Sequence, residues 1–187
     1  RIIGRNNSLY ESEAEYELFE SLEEAITSCG SNECTIEMVL NTTESVNVLE
    51  GQEIKLELNG KTVTGVRDYT IENSGELIID NDQEIGSITN TNGIGIKNIA
   101  NGILQIGENE EPLSVSTTKP NIVGTTYGIY TEEETSKLKF YDGKIEGNVA
   151  IQGNVDDTPY LYNAKITNEG HQVATLSILA EAEAKIT

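Results

Sequence analysis

One segment of this chain returns with its pattern of residue types kept. Phe140-Tyr-Asp-Gly-Lys-Ile-Glu146 reappears 21 residues later as Leu161-Tyr-Asn-Ala-Lys-Ile-Thr167. Two further echoes join it. Gly75-Glu-Leu-Ile-Ile79 is matched by Gly102-Ile-Leu-Gln-Ile106, and Ile122-Val-Gly-Thr-Thr-Tyr-Gly-Ile129 by Ile145-Glu-Gly-Asn-Val-Ala-Ile151. Self-similarity at roughly 20 to 35 residues marks a repeat architecture in which neighbouring units stack to bury a shared core. A propeller blade would need about 40 to 45 residues.

The repeated pieces have strand character. Short apolar runs such as Ile54-Lys-Leu-Glu-Leu58 alternate apolar with polar side chains, the two-residue period of a half-buried strand. Gly and Asn separate the runs, as tight turns require. Aromatic residues make up 5% of the chain and Trp is absent, so Ile, Leu and Val must fill the interior. The expected fold is all-β: a right-handed parallel β-helix, or solenoid, of short strands. A β-sandwich is the alternative, with Asn59-Gly60 and Asp142-Gly143 as its candidate hairpin turns. Asn59, Asn81, Asn98 and Asn163 are candidates for turn ladders.

A helical pattern occurs near the start. Phe19, Leu22, Ala25 and Ile26 fall at helical spacing, and Ser21 with Glu24 fits a capping box. A helix near 20–28 is expected to plug the N-terminal end of the coils, because a stack of repeats needs its open ends covered. Residues 1–18 form an acidic arm or leading strand, and 19–187 the β-helix domain. A chain of this length suits one domain. It begins at Arg1 and shows no signal-peptide pattern, as expected for a mature or excised piece of a longer protein.

Charge narrows the partners. With 32 acidic against 12 basic residues, the formal net charge is −20. Such a surface repels phosphate backbones, anionic lipids and acidic polysaccharides. No apolar run is long enough to span a bilayer. The expectation is a monomer that binds neither nucleic acid nor membrane and takes a protein or glycan ligand, if any.

Phe19-Glu-Ser-Leu-Glu-Glu-Ala-Ile26, followed by Ser45-Val-Asn-Val-Leu-Glu-Gly-Gln-Glu-Ile-Lys-Leu-Glu-Leu-Asn-Gly-Lys-Thr-Val-Thr64, resembles the opening of repetitive surface proteins of Gram-positive bacteria. Those proteins are similar to pectate-lyase-like right-handed β-helices. Gly75-Glu-Leu-Ile-Ile-Asp80 and Tyr127-Gly-Ile-Tyr130 look like their later coils. The resemblance covers roughly residues 19–170. It implies an extracellular or cell-wall setting and a non-catalytic role as stalk, spacer or adhesin-like binding module.

Few residues offer chemistry. His171 is the sole histidine, so nucleophilic catalysis of the Ser-His or Cys-His kind would have to use it. Asp156-Asp157 with Gly170-His171 resembles the acidic pair and Gly-His of β-helix polygalacturonases, but their Asn-Thr-Asp and Arg-Ile-Lys motifs are absent. Asp156, Asp157 and His171 are therefore the candidates for the alternative function, a polysaccharide hydrolase or lyase. Asp80, Asp82 and Glu84 supply oxygens of the kind Ca²⁺ accepts, without EF-hand spacing; no other cofactor is expected. Cys29 and Cys34 are too few for a zinc site and are candidates for a disulfide. Tyr127, Tyr130, Tyr141, Tyr160 and Tyr162 are candidates for an exposed aromatic strip that holds sugars.

Overall fold

A computed structural model of the chain describes residues 3–6, 16–80, 85–107, 120–131, 136–140, 144–147, 149–152 and 165–168. The chain opens with β1 (Ile3–Asn6), β2 (Tyr16–Phe19) and α1 (Leu22–Cys29). Strands then come in threes. The first set is β3 (Glu33–Met38), β4 (Thr42–Thr43) and β5 (Val46–Val48). The second is β6 (Glu53–Glu57), β7 (Thr62–Thr64) and β8 (Tyr69–Asn73). Next come β9 (Glu76–Asp80), β10 (Ser87–Asn90) and β11 (Ile94–Asn98), then β12 (Ile103–Ile106), β13 (Asn121–Gly124) and β14 (Tyr127–Thr131). Last are β15 (Lys137–Phe140), β16 (Lys144–Gly147), β17 (Val149–Gln152) and β18 (Lys165–Asn168).

Each set of three gives one strand to each of three sheets, and β18 adds a further strand to the second of them. Sheet A has the order β15-β12-β9-β6-β3-β1-β2, sheet B β18-β16-β13-β10-β7-β4, and sheet C β17-β14-β11-β8-β5. From β3 onward the neighbours in every sheet run parallel; β1 pairs antiparallel with both β2 and β3. The parallel pairing differs from that of a β-sandwich, whose two sheets are antiparallel. Asn59 and Gly60 do take positive φ (46° and 71°), and Lys61 N donates to Leu58 O at 2.8 Å. That turn leads from β6 in sheet A to β7 in sheet B, so it rounds a corner and closes no hairpin. Asp142-Gly143 lies outside the described residues.

The repeats coincide with the pairing. Lys144 and Ile145 face Lys165 and Ile166; Leu104 and Ile106 face Leu77 and Ile79; Ile122 faces Ile145 and Ile129 faces Ile151. Pleating then turns equivalent residues inward at every level. Sheet A stacks Cys34, Ile54, Leu77, Leu104 and Leu138; sheet B Val63, Ile88, Ile122 and Ile145; sheet C Val46, Ile71, Ile96 and Ile129. All are buried in one cluster. Burying each aliphatic side chain contributes about 1.5–3 kcal/mol, which is what holds the stack together.

The helix covers the N-terminal end of that cluster. Leu22, Ala25, Ile26 and Cys29 are buried, and Phe19 packs against them. Ser21 is the N-cap, its hydroxyl accepting from Glu24 N at 3.1 Å. The Glu44 carboxylate also accepts from Leu22 N and Glu23 N, at 3.2 and 3.1 Å, placing negative charge where the helix dipole favours it. At the other end, Gln52 Nε2 donates to Ile26 O at 3.1 Å, tying the last turn to the strand sets.

Cys29 ends the helix and Cys34 lies in β3; a disulfide joins them, with Cα atoms 5.8 Å apart. Closing so short a loop is worth about 2 kcal/mol on the chain-entropy account. Intact-mass measurement of unreduced protein should show the bridged species and no alkylated thiol, with reductant adding two hydrogens. Two thiols that alkylate without reductant would refute the bridge.

Candidate functional site

The outward rows of the three sheets differ in chemistry. Sheet A is acidic. Glu33, Glu53 and Glu76 stand in one register column, and Glu37, Glu57 and Asp80 in another. Lys55 Nζ partly offsets the second, 3.2 Å from Glu57 and 3.4 Å from Asp80. The field is felt next door: Glu37 foremost, with Glu57, holds the Tyr16 phenol above its usual pKa. Sheet B presents hydroxyls, with Thr64 and Thr89 in register and Thr89 Oγ1 donating to Thr64 Oγ1 at 3.3 Å.

Sheet C carries aromatic and paired polar groups, and its local sequence explains why. Strands β8 (Tyr69-Thr-Ile-Glu-Asn73), β11 (Ile94-Gly-Ile-Lys-Asn98) and β14 (Tyr127-Gly-Ile-Tyr-Thr131) share a frame. The second, third and fifth positions are buried; the first and fourth are half-exposed. Two successive inward residues break the usual alternation. Small residues at the second position (Thr70, Gly95, Gly128) fit this break. At Gly95 a Cβ would stand 2.6 Å from Gly128 O and 3.0 Å from Ile122 Cγ2. The outward residues therefore form two columns: Tyr69, Ile94 and Tyr127 in one, Asn47, Glu72, Lys97 and Tyr130 in the other.

The first column is apolar and aromatic, the second polar, and the two touch. Tyr69 OH donates to Asn47 Oδ1 at 2.9 Å and accepts from Arg67 Nη1 at 2.9 Å. The Arg67 guanidinium and Lys97 Nζ lie 5.9 and 5.8 Å from the centre of the Tyr69 ring, within cation–π range. Lys97 Nζ pairs with Glu72 at 2.6 Å. The hydrogen bonds that Arg67 donates to Tyr69 and Lys97 donates to Glu72 hold both cations above their usual pKa, so both stay charged at neutral pH. The Tyr127 and Tyr130 rings sit 5.8 Å apart, tilted by 44°.

The corner that sets Arg67 and Tyr69 is held from beneath. The Ser45 hydroxyl accepts from Val66 N and Arg67 N, at 2.9 and 3.0 Å, and donates to Tyr69 O at 2.6 Å. Asn90 Nδ2 donates to Arg67 O at 3.1 Å.

Sequence reasoning names Tyr127 and Tyr130 for this strip and misses Tyr69, Arg67, Lys97, Glu72 and Asn47. The shared five-residue frame was the signal available for several of them. Tyr141, Tyr160 and Tyr162 lie outside the described residues, as do Asp156, Asp157 and His171. Of the calcium candidates, Asp82 and Glu84 are also outside; Asp80 ends β9 beside Lys55. Among the described residues, no group of three or more His, Cys, Asp or Glu is set to hold a metal ion. Among those residues, too, no helix is long and apolar enough to cross a membrane. The asparagine ladder differs from the expected one. Asn98 stacks on Asn73, Asn59 stands at a corner between sheets A and B, and Asn81 and Asn163 lie outside the described residues. Comparison with known protein families, curated proteins and solved structures finds no significant match to this chain.

Proposed function

We propose that the chain is a right-handed parallel β-helix that serves outside the cell as a non-catalytic surface module, a stalk or adhesin-like unit. The observation that carries this reading is the in-register stack of three parallel sheets whose buried aliphatic residues repeat level by level. Such a stack is a rigid rod with a ruled surface, and repeat architectures use extended surfaces of this kind for binding. The likeness of Phe19–Ile26 and Ser45–Thr64 to repetitive surface proteins supports the setting. The acidic surface supports a role in which polyanions are kept away.

A glycan and host-protein array, run beside a reducing-sugar release assay on neutral and acidic polysaccharides, tests the proposal. Binding without turnover is the expected result for a module, and silence in both assays leaves a stalk. Robust turnover lost on Asp156→Ala or Asp157→Ala would overturn it in favour of a hydrolase or lyase.

A further inference from the structure

We infer that the outer face of sheet C is the binding site for an uncharged glycan that lies across the strands, along the direction of stacking. The inference rests on the module reading above and names the ligand class and the residues that meet it.

A pyranose ring has two kinds of surface. Its axial C–H bonds form an apolar patch with slight positive charge, and its hydroxyls form a polar edge. Sheet C offers the complement of both, side by side. The column Tyr69, Ile94, Tyr127 supplies an aliphatic step between two rings, whose negative π faces attract the C–H patch. The column Asn47, Glu72, Lys97 supplies amide, carboxylate and ammonium groups for hydroxyls. Tyr69 and Tyr127 stand two strand spacings apart, about 9.6 Å, a distance on the scale of a disaccharide unit. The glycan therefore runs along the columns and not along a single strand.

Charge selects against acidic glycans. The chain carries −20 overall, and two columns of sheet A carry carboxylates over three successive levels, Glu33, Glu53 and Glu76 in one and Glu37, Glu57 and Asp80 in the other. On sheet C, Lys97 is paired with Glu72 at 2.6 Å, and the Arg67 charge is offset by Asp68 beside it in the chain. The face is close to neutral within a negative field, which suits an uncharged ligand and opposes an anionic one. The Tyr69 ring is oriented by its hydrogen bonds before any ligand arrives, which reduces the ordering cost of binding.

The test is isothermal titration of the full chain with neutral hexasaccharides of glucose, mannose, galactose and N-acetylglucosamine, and with oligogalacturonate as the anionic counterpart. At least one neutral hexasaccharide should bind, and oligogalacturonate should bind at least tenfold more weakly. Tyr127→Ala and Tyr69→Ala should each weaken binding by about tenfold or more. Tyr127→Phe should retain it, because the ring face and not the hydroxyl makes the contact. Thr64→Ala on sheet B should change nothing. Circular dichroism of each variant separates loss of contact from loss of fold; if an alanine variant unfolds, Tyr127→Leu, which keeps an apolar side chain but removes the ring, should still weaken binding about tenfold. No binding of any neutral hexasaccharide, preference for oligogalacturonate, or binding indifferent to Tyr69 and Tyr127 would each overturn the assignment. The last outcome leaves the module reading standing with its site elsewhere. Release of reducing ends from a bound hexasaccharide would instead sink the non-catalytic reading.

Discussion

Replacing Asn98 with alanine is expected to cost about 3 kcal/mol of stability, because three buried hydrogen bonds go with the side chain. Asn98 is fully buried at the end of β11, where the chain turns from sheet C to sheet A. Its Oδ1 accepts from Asn73 Nδ2 at 2.8 Å. Its Nδ2 donates to Gly102 O at 3.0 Å and to Lys137 O at 2.9 Å, so one amide ties β8 and β15 to the corner between β11 and β12. Asn73 does the same one level earlier, donating to Ile103 O at 3.1 Å and accepting from Gly75 N at 3.2 Å. Asn98→Asp is the sharper variant. It keeps the shape but turns the donor into a carboxylate oxygen facing two carbonyls, in a place where a charge is costly to bury. Burial and those oxygens should raise the folded-state pKa of the introduced carboxyl above its unfolded value. The neutral form is then favoured in the native state. The Asn98→Asp variant should be least stable near neutral pH and recover as the pH falls through the raised pKa. Urea unfolding midpoints from pH 4 to 8 check both variants. A loss below about 0.5 kcal/mol for Asn98→Ala would mean that the stacked amides do not hold the corner.

Gly124→Ala should be at least as damaging, for a steric reason. A Cβ at Gly124 would press against the Tyr127 carbonyl oxygen and stand 2.6 Å from Gly95 N and 2.8 Å from Gly93 O. All three are backbone atoms, so no flexible side chain can give way, and overpacking of this kind costs about 3 kcal/mol or more. The strain falls on β14, which carries Tyr127 and Tyr130, so the sheet C face should be disturbed along with stability. Gly51 is the control. Nothing lies within 4 Å of its virtual Cβ, and only its φ of +82° resists a side chain. Gly51→Ala should cost only about 1–2 kcal/mol, the penalty of the left-handed region alone. Thermal melts of the two variants decide the matter. Equal losses would show that close backbone approach at Gly124 is not what demands glycine.

The helix start, strand runs such as Ile54–Leu58, and several of the parallel partners were legible in the sequence. In a parallel stack each inward residue lies on its equivalent from the previous level, so packing demands the same residue type again, and periodicity is written into the chain. Leu77 with Leu104, Ile79 with Ile106, and Ile122 with Ile145 show it. Ser21 announced the helix because its hydroxyl serves amides three residues away, a local matter.

The outward columns obey no such rule. Tyr69, Ile94 and Tyr127 share a column without sharing a residue type, as do Glu72, Lys97 and Tyr130. Solvent accepts any of them, so no period marks them. The corners also vary in length: β9 and β10 are separated by residues 81–86, β12 and β13 by residues 107–120. Unequal corners hide which outward residues are neighbours, and they hid that Asn98 stacks on Asn73. The inward pattern, and with it the all-β parallel stack, was determined by the sequence alone, because burial acts on residue type. Which polar and aromatic side chains meet on the surface was decided only by the register of the folded strands, because that register depends on every corner at once.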